Sequence, residues 1–165
     1  MSVPRPFRRL RTALRLPPAE VVRAAEAAAL FHGFRLALRV VHFRRLRWVL
    51  GASGPALSTP EGPAGRPSPT AIAVSQALFR ASKPYPDTCL PQALAGRVML
   101  RRRGIPSTLS LGTRRRPDGL TFHAWIATDG VILNVGGGPR RFATLATFYD
   151  PPPRPRPSSP EGPLR

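Results

Sequence analysis

The chain has 165 residues, enough for one domain with a hydrophobic core plus flanking segments. Its 26 basic and 8 acidic residues give a formal net charge of +18, which predicts an acidic partner: a nucleic acid, an anionic membrane surface or an acidic polypeptide. The single cysteine excludes an intramolecular disulfide, and residues 24–41, the most apolar stretch, contain too many charges for a membrane-spanning helix. We therefore expect a cytoplasmic protein.

A basic helical segment is predicted for residues 1–50. Pro17 and Pro18 followed by Glu20 are typical of a helix start, since proline suits the first turn and a carboxylate favours the positive end of the helix dipole. From residue 21 to residue 50, apolar side chains recur at three- and four-residue spacing, which predicts an amphipathic helical hairpin packed on the domain. Gly33 is a candidate for a kink or for a boundary between two helices.

The next segments differ sharply in composition. Residues 51–69 are rich in glycine, proline and serine without periodicity, which predicts a linker. Residues 70–82 return to a helical pattern, with Thr70 as the candidate N-cap. Residues 150–165 are proline-rich, which is typical of a disordered or polyproline tail. The compact domain is therefore expected within residues 70–149.

The only cysteine lies at a predicted helix start. Asp87 or Thr88 can cap this helix, Pro91 suits its first turn, and Gly104 after three arginines is typical of its end. At such a position the helix dipole and the free backbone amides favour the thiolate, the reactive form of a cysteine, and the amides can bind an oxyanion. Cys89 is thus a candidate nucleophile, although an inert buried thiol fits the same position.

A candidate general base follows on a predicted strand. Residues 107–112 alternate polar and apolar, and after an arginine-rich turn a second apolar run contains His123 and Trp125. Asp129-Gly130 between two apolar runs predicts a β-hairpin. Taken alone, a histidine on a strand is more often structural. However, a helix-start cysteine followed by a strand histidine is the chain order of papain-type and transglutaminase-type sites, where the histidine takes the thiol proton.

Five short motifs combine within residues 70–149: CLP at 89–91, ALA at 93–95, RRGIP at 102–106, HAW at 123–125 and DG at 129–130. Together they resemble the B proteins of lasso-peptide biosynthesis, which are bacterial leader peptidases of the transglutaminase-like superfamily. The resemblance implies cleavage of the leader from a ribosomally made precursor, followed by ring closure by a cyclase. It implies no directly bound cofactor, with ATP used by the maturation complex. Because no leader-recognition domain fits before the helical segment, the chain resembles the stand-alone form, which works with a separate leader-recognition protein.

The chain departs from this family at the third member of the triad. The family often has an acidic residue where Ala127 stands and usually an aspartate where Val135 stands. Asn134 is the candidate for orienting the imidazole, as an asparagine does in papain-like proteases. A two-residue hairpin turn would put Asn134 on the face of His123, whereas a three-residue turn would put Val135 there. A Cys–His dyad without a third member, or a site that has lost activity, would fit the same residues.

The sequence thus predicts an α+β cysteine peptidase with a papain/transglutaminase-like core, in which a helix bears Cys89 and an antiparallel sheet bears His123. The arginines at 101–103 and 114–116 are expected to dock an acidic leader, recognition protein or cyclase, unless they form only a solvated basic face. Two further functions stay open: another transglutaminase-like amide hydrolase or acyltransferase, and a non-catalytic arginine-rich binding module. No nucleic-acid partner is expected, because the basic residues are not interleaved with a stacking platform of aromatic residues.

Overall fold

The computed structural model describes residues 17–54, 65–129, 131–133 and 142–150, which form helices and one antiparallel sheet. The helices are α1 (Pro18–Val40), α2 (Arg47–Leu50, after a 3₁₀ turn at Phe43–Leu46), α3 (Pro69–Ser82) and α4 (Cys89–Arg102). The strands are β1 (Ala52–Gly54), β2 (Thr108–Arg116), β3 (Gly119–Thr128), β4 (Val131–Ile132) and β5 (Ala143–Tyr149). Their order in the sheet is β1-β5-β2-β3-β4. The predicted α+β class is confirmed.

Helix α1 begins where the sequence predicts, with Pro18 in its first turn and Glu20 near its positive end. It runs through Gly33 without interruption and ends at Val40. Its buried face, which includes Phe31 and Phe34, packs against α3 and α4. The return arm of the predicted hairpin is short, since only a 3₁₀ turn and α2 follow. Among the described residues, no helix is long and apolar enough to cross a membrane.

The segment predicted as a linker contains structure at both described ends. Residues 52–54 form the edge strand β1, which pairs antiparallel with β5. Gly51 enters this strand at φ +79°, and a Cβ there would overlap the carbonyl oxygen of Tyr149. At the other end Ser68, rather than Thr70, is the N-cap of α3, because its hydroxyl accepts a hydrogen bond of 3.2 Å from the Ala71 amide. Residues 55–64 lie outside the described part of the chain.

One core joins the helices to the sheet. Side chains from α1 to α4 and from β2 and β3 form a single buried cluster, including Phe31, Leu78, Leu94, Met99, Leu109 and Ile126. Helix α4 lies close to β3, since a Cβ on Gly96 would meet the Ile126 side chain within 2.5 Å. The helix that begins at Cys89 is therefore held directly against the strand that contains His123.

The two hairpins fix the register of the sheet. In the first, β2 and β3 pair from Thr108↔Ala127 to Arg116↔Gly119, so the predicted arginine-rich turn is mostly strand and only residues 117–118 turn. In the second, Thr128 pairs with Val131, which leaves two residues in the turn. Asp129 has φ +49°, as the first position of a type I′ turn requires. The predicted Asp129-Gly130 hairpin is confirmed by this pairing.

Candidate functional site

A cleft of about 910 Å³ lies between the first turn of α4 and the half of the β2–β3 hairpin that is next to its turn. Its walls come from α3, from the connection between α3 and α4, and from β2 and β3, with Leu133 and Phe142 at one side. Cys89 and His123 both line it. The two residues that the sequence singles out as nucleophile and base are thus brought to the same cavity.

Cys89 is the first residue of α4 and is half-buried. Thr88 occupies the N-cap position, but its side chain makes no hydrogen bond to the helix. The first intrahelical bond runs from the Gln92 amide to the Thr88 carbonyl, and Pro91 has no N–H. The amides of Cys89 and Leu90 therefore have no acceptor within the helix. They are the donors that this site can offer to an oxyanion.

His123 lies on β3 in a stack of aromatic rings. Its ring centroid is 6.0 Å from that of Trp125 and 5.0 Å from that of Phe142, with interplanar angles of 21° and 28°. Burial lowers the pKa of His123 below its usual value, because the imidazolium loses hydration there. The neutral imidazole, which can accept a proton from a thiol, is therefore the favoured form of His123 near neutral pH.

Within the described residues, the Cys89 thiol and the His123 imidazole share the cleft and make no hydrogen bond to each other. Consecutive residues of β3, from Thr121 to His123, all line the cavity, so the cleft reaches both faces of the strand.

The third predicted member of the site, Asn134, lies outside the described residues, as do Val135 and the triple glycine at 136–138. The described pairing of β3 with β4 ends at the hydrogen bond from the Leu133 amide to the Ile126 carbonyl. Its register is that of a two-residue turn, which is the register that the Asn134 prediction requires. Ala127, at the other position where an acid is expected, is buried. Asp87 is the acidic residue among those lining the cleft, and it has φ +50°.

The arginines predicted as one docking surface fall into two groups. Arg101 pairs with Asp150 at 2.7 Å, and Arg102 and Arg103 pair with Glu26 at 3.1 and 2.6 Å. The hydrogen bond from Arg103, followed by the one from Arg102, lowers the pKa of Glu26 despite partial burial. These three guanidiniums thus join α4 to α1 and to the end of β5. Arg114 and Arg116, in contrast, line the cleft, whereas Arg115 is exposed and is not part of the lining.

Several residues that contact the site are not predicted from the sequence. Phe142, which immediately precedes β5, stacks on His123, and the Gly112 Cα pairs opposite His123. Gln92 donates a hydrogen bond of 3.1 Å to the Ser82 hydroxyl, and the Ser75 hydroxyl donates to the Leu133 carbonyl. The position of Gln92 beside Cys89 could have been predicted, because a residue three positions later in a helix lies on the same side. The other contacts depend on strand pairing and have no local signal.

No group of three or more histidine, cysteine, aspartate or glutamate residues in the described ranges is arranged to hold a metal ion. The cleft brings together a thiol, an imidazole, backbone amides and cationic side chains, with the Asp87 carboxylate also in its lining. Such a set suits nucleophilic attack on a carbonyl carbon with general base assistance.

Comparison with known proteins gives one match. The model of the family described as "Transglutaminase-like superfamily" matches residues 28–147, which include all of α3, α4, β2, β3 and β4. No curated protein and no solved structure matches the chain significantly. The matched range begins inside α1 and ends inside β5, so it covers both Cys89 and His123.

Proposed function

The chain belongs to the transglutaminase-like superfamily, and from that premise we propose that it is a cysteine peptidase that removes the leader from a lasso-peptide precursor. The superfamily supports a cysteine-based hydrolase or acyltransferase as the kind of activity. The observation that carries the proposal is that Cys89, at the first position of α4, and His123, on β3, line one cleft. The CLP, RRGIP and HAW motifs support the finer assignment.

The proposed reaction has two half-steps. His123 accepts the proton of the Cys89 thiol while the sulfur attacks the scissile carbonyl, and the amides of Cys89 and Leu90 stabilise the oxyanion. The imidazolium then donates its proton to the leaving amine, which departs as the new N-terminus of the core peptide. Water, deprotonated by His123, hydrolyses the thioester, so that the leader leaves as a carboxylic acid and the thiol is restored.

Asn134 is proposed to orient the His123 imidazole through a side-chain hydrogen bond. The hairpin register up to Leu133 supports this role, since the same pairing, if continued, would put residue 134 opposite Trp125. The proposed partners are the precursor leader, a separate leader-recognition protein and the cyclase, which consumes ATP. The excess of arginine supports an acidic surface on at least one of them.

The test is incubation with precursor, recognition protein, cyclase and ATP, followed by mass spectrometry of the products. We expect the wild type to release the leader as one peptide. In the Cys89→Ala and His123→Ala variants the rate of cleavage should fall by about 10³-fold or more. His42→Ala is the matched control, because His42 is exposed and lies outside the cleft. Cleavage that persists in Cys89→Ala contradicts the proposal. Because Cys89 is the only cysteine, its alkylation by iodoacetamide gives a second, independent block.

A further inference from the structure

The basic residues of the described chain differ in whether they have acidic partners. The ion pairs there join Arg97 and Arg101 to Asp150, and Arg102 and Arg103 to Glu26. The cleft is lined by four other cations, Arg80, Lys83, Arg114 and Arg116, and none of these has an acidic partner within 4.0 Å in the described residues. The catalytic cleft therefore holds an excess of positive charge that the described fold does not neutralise.

Arg114 is the least exposed of these four. Its guanidinium carbon is 5.2 Å from the centroid of the Phe142 ring, which itself stacks on His123 at 5.0 Å. The guanidinium and the imidazole thus both contact the Phe142 ring. Arg114 pairs with Thr121, two positions from the pair of Gly112 and His123. The side chains of Arg114 and His123 therefore point to the same face of the sheet.

The Nε atom of Arg114 is buried and has no hydrogen-bond partner among the described residues. A buried donor without an acceptor is unfavourable by roughly 1–3 kcal/mol, so native proteins seldom retain one without a reason. Arg114 thus lines the cleft with a guanidinium that forms no hydrogen bond or ion pair within the described residues, and one of its donors is buried without an acceptor. A carboxylate matches that group best, because two oxygens can accept parallel bonds from a guanidinium.

We propose that Arg114 is a specificity-determining residue that binds the side-chain carboxylate of an aspartate or glutamate close to the scissile bond of the peptide substrate. This proposal rests on the proposed peptidase function, because it places the carboxylate relative to a scissile bond. The binding of an anionic peptide in this cleft does not itself require cleavage. Phe79 and Phe122, both exposed and both in the lining, provide apolar contacts for the residues beside that carboxylate.

The test measures binding to the full-length Cys89→Ala variant, which holds substrate without cleaving it. The probes are fluorescent precursor peptides with an amidated C-terminus. For each of the three positions on either side of the scissile bond, one peptide has glutamate at that position and a second has glutamine. At one position we expect the glutamate peptide to bind roughly tenfold tighter, as one charge-assisted pair predicts. Adding Arg114→Gln should abolish this preference, and Arg114→Lys should retain part of it.

The matched control is Arg102→Gln, since Arg102 is exposed, paired with Glu26 and remote from the cleft; it should leave the preference intact. Equal affinity for glutamate and glutamine peptides at every position overturns the proposal, as does a preference that survives Arg114→Gln. Because binding is measured without turnover, a glutamate preference together with no cleavage by the wild type would reject the peptidase function and keep the role of Arg114.

Discussion

At the scale of single residues, His123 combines two properties that a general base needs. Its ring is held by stacking on Trp125 and Phe142, which fixes the plane of the imidazole. Partial burial of the ring also lowers the pKa of His123, because the imidazolium loses hydration there. In the proposed mechanism, His123 is therefore a neutral and oriented base before substrate arrives.

This environment predicts the acid limb of the pH–rate profile. As the pH falls through the pKa of His123, the imidazolium forms, the base is lost and kcat/KM decreases; above that pH, activity is full. Since burial lowers this pKa, we expect the midpoint of the acid limb below 6.5, the usual value for histidine. An NMR titration of the Cys89→Ala variant measures the imidazole without coupling to the thiol, and His123→Gln assigns its resonance. A His123 midpoint at or above 6.5 would contradict the prediction.

The sequence predicts the pair Cys89 and His123 but not the residues around it. Chain order and the position of Cys89 at a helix start are local features, so they can be read from spacing alone. The contacts of Phe142 and Arg114 with the site depend on which strands are neighbours, and β5 lies beside β2 after a long connection. Periodicity within one segment does not contain that information. Asn134 stays a prediction, because it lies outside the described residues.

At the scale of secondary structure, the β2–β3 pairing depends on Gly112. A Cβ at this position would lie 2.8 Å from the Trp125 ring and 2.9 Å from the Ala143 carbonyl oxygen. Gly112 also stands where the register between β2 and β5 shifts by one residue, as glycines at β-bulges often do. The missing side chain thus leaves room for Trp125, and through it for the stack on His123.

We therefore expect Gly112→Ala to lower the free energy of unfolding by about 1–3 kcal/mol, as overpacking in a core does, and to reduce kcat by displacing the aromatic stack. Gly33→Ala is the matched control: nothing lies within 4 Å of a Cβ there. Since Gly33 is inside α1, alanine should stabilise the protein by about 0.5–1 kcal/mol. Urea unfolding and steady-state kinetics measure both effects. Equal stability of the two variants would show that the Gly112 contact is unimportant.

Elements with a local signal in the sequence are predicted, whatever their length. Apolar periodicity predicts α1 and a helical pattern predicts α3, while helix start and end signals predict α4. Alternation predicts the first part of β2, and the Asp-Gly signal between two apolar runs predicts the hairpin of β3 and β4. The seven-residue strand β5 is not predicted, and neither is β1. Strand β1 has only three residues, in a stretch rich in glycine and proline, and it is ordered by pairing with β5 rather than by its own propensity. The arginines at 114–116 suggest a turn by composition, yet they continue β2 because each pairs with a residue of β3.

At the scale of the whole molecule, Arg97 and Asp150 connect the helical layer to the sheet. The fully buried Arg97 donates Nε to the Val49 carbonyl at 2.9 Å and Nη1 to the carbonyls of Ser107 and Phe148 at 3.2 and 3.0 Å. Asp150 lies 3.2 Å from Arg97 Nη2 and accepts from the Ser107 amide at 2.8 Å. Burial lowers the pKa of Arg97 to about 10, although Asp150 opposes this shift. The carboxylate is therefore needed to compensate a desolvated cation.

Asp150→Asn should consequently destabilise the protein strongly. The change keeps the shape of the side chain but leaves the Arg97 guanidinium buried without its counter-charge, which is unfavourable by about 3 kcal/mol. Asp118→Asn is the control, because Asp118 is exposed at the β2–β3 turn and should change stability by less than about 0.5 kcal/mol. Chemical denaturation measures both variants. A loss in Asp150→Asn as small as in Asp118→Asn would contradict this role of the ion pair.

The position of α1 in the core leads to a prediction about the smallest folding unit. The sequence predicts the catalytic domain within residues 70–149, while the family match begins at residue 28 and the buried core includes Ala27 and Phe31. Removing α1 exposes the faces of α3 and α4 that it covers, at about 1.5–3 kcal/mol for each large apolar side chain, and removes β1 from β5. We expect the fragment 17–150 to unfold cooperatively and the fragment 65–150 to show no cooperative transition in circular dichroism. If the shorter fragment unfolds cooperatively at the same temperature, residues 17–64 are an appendage, and the domain boundary lies where the sequence composition puts it.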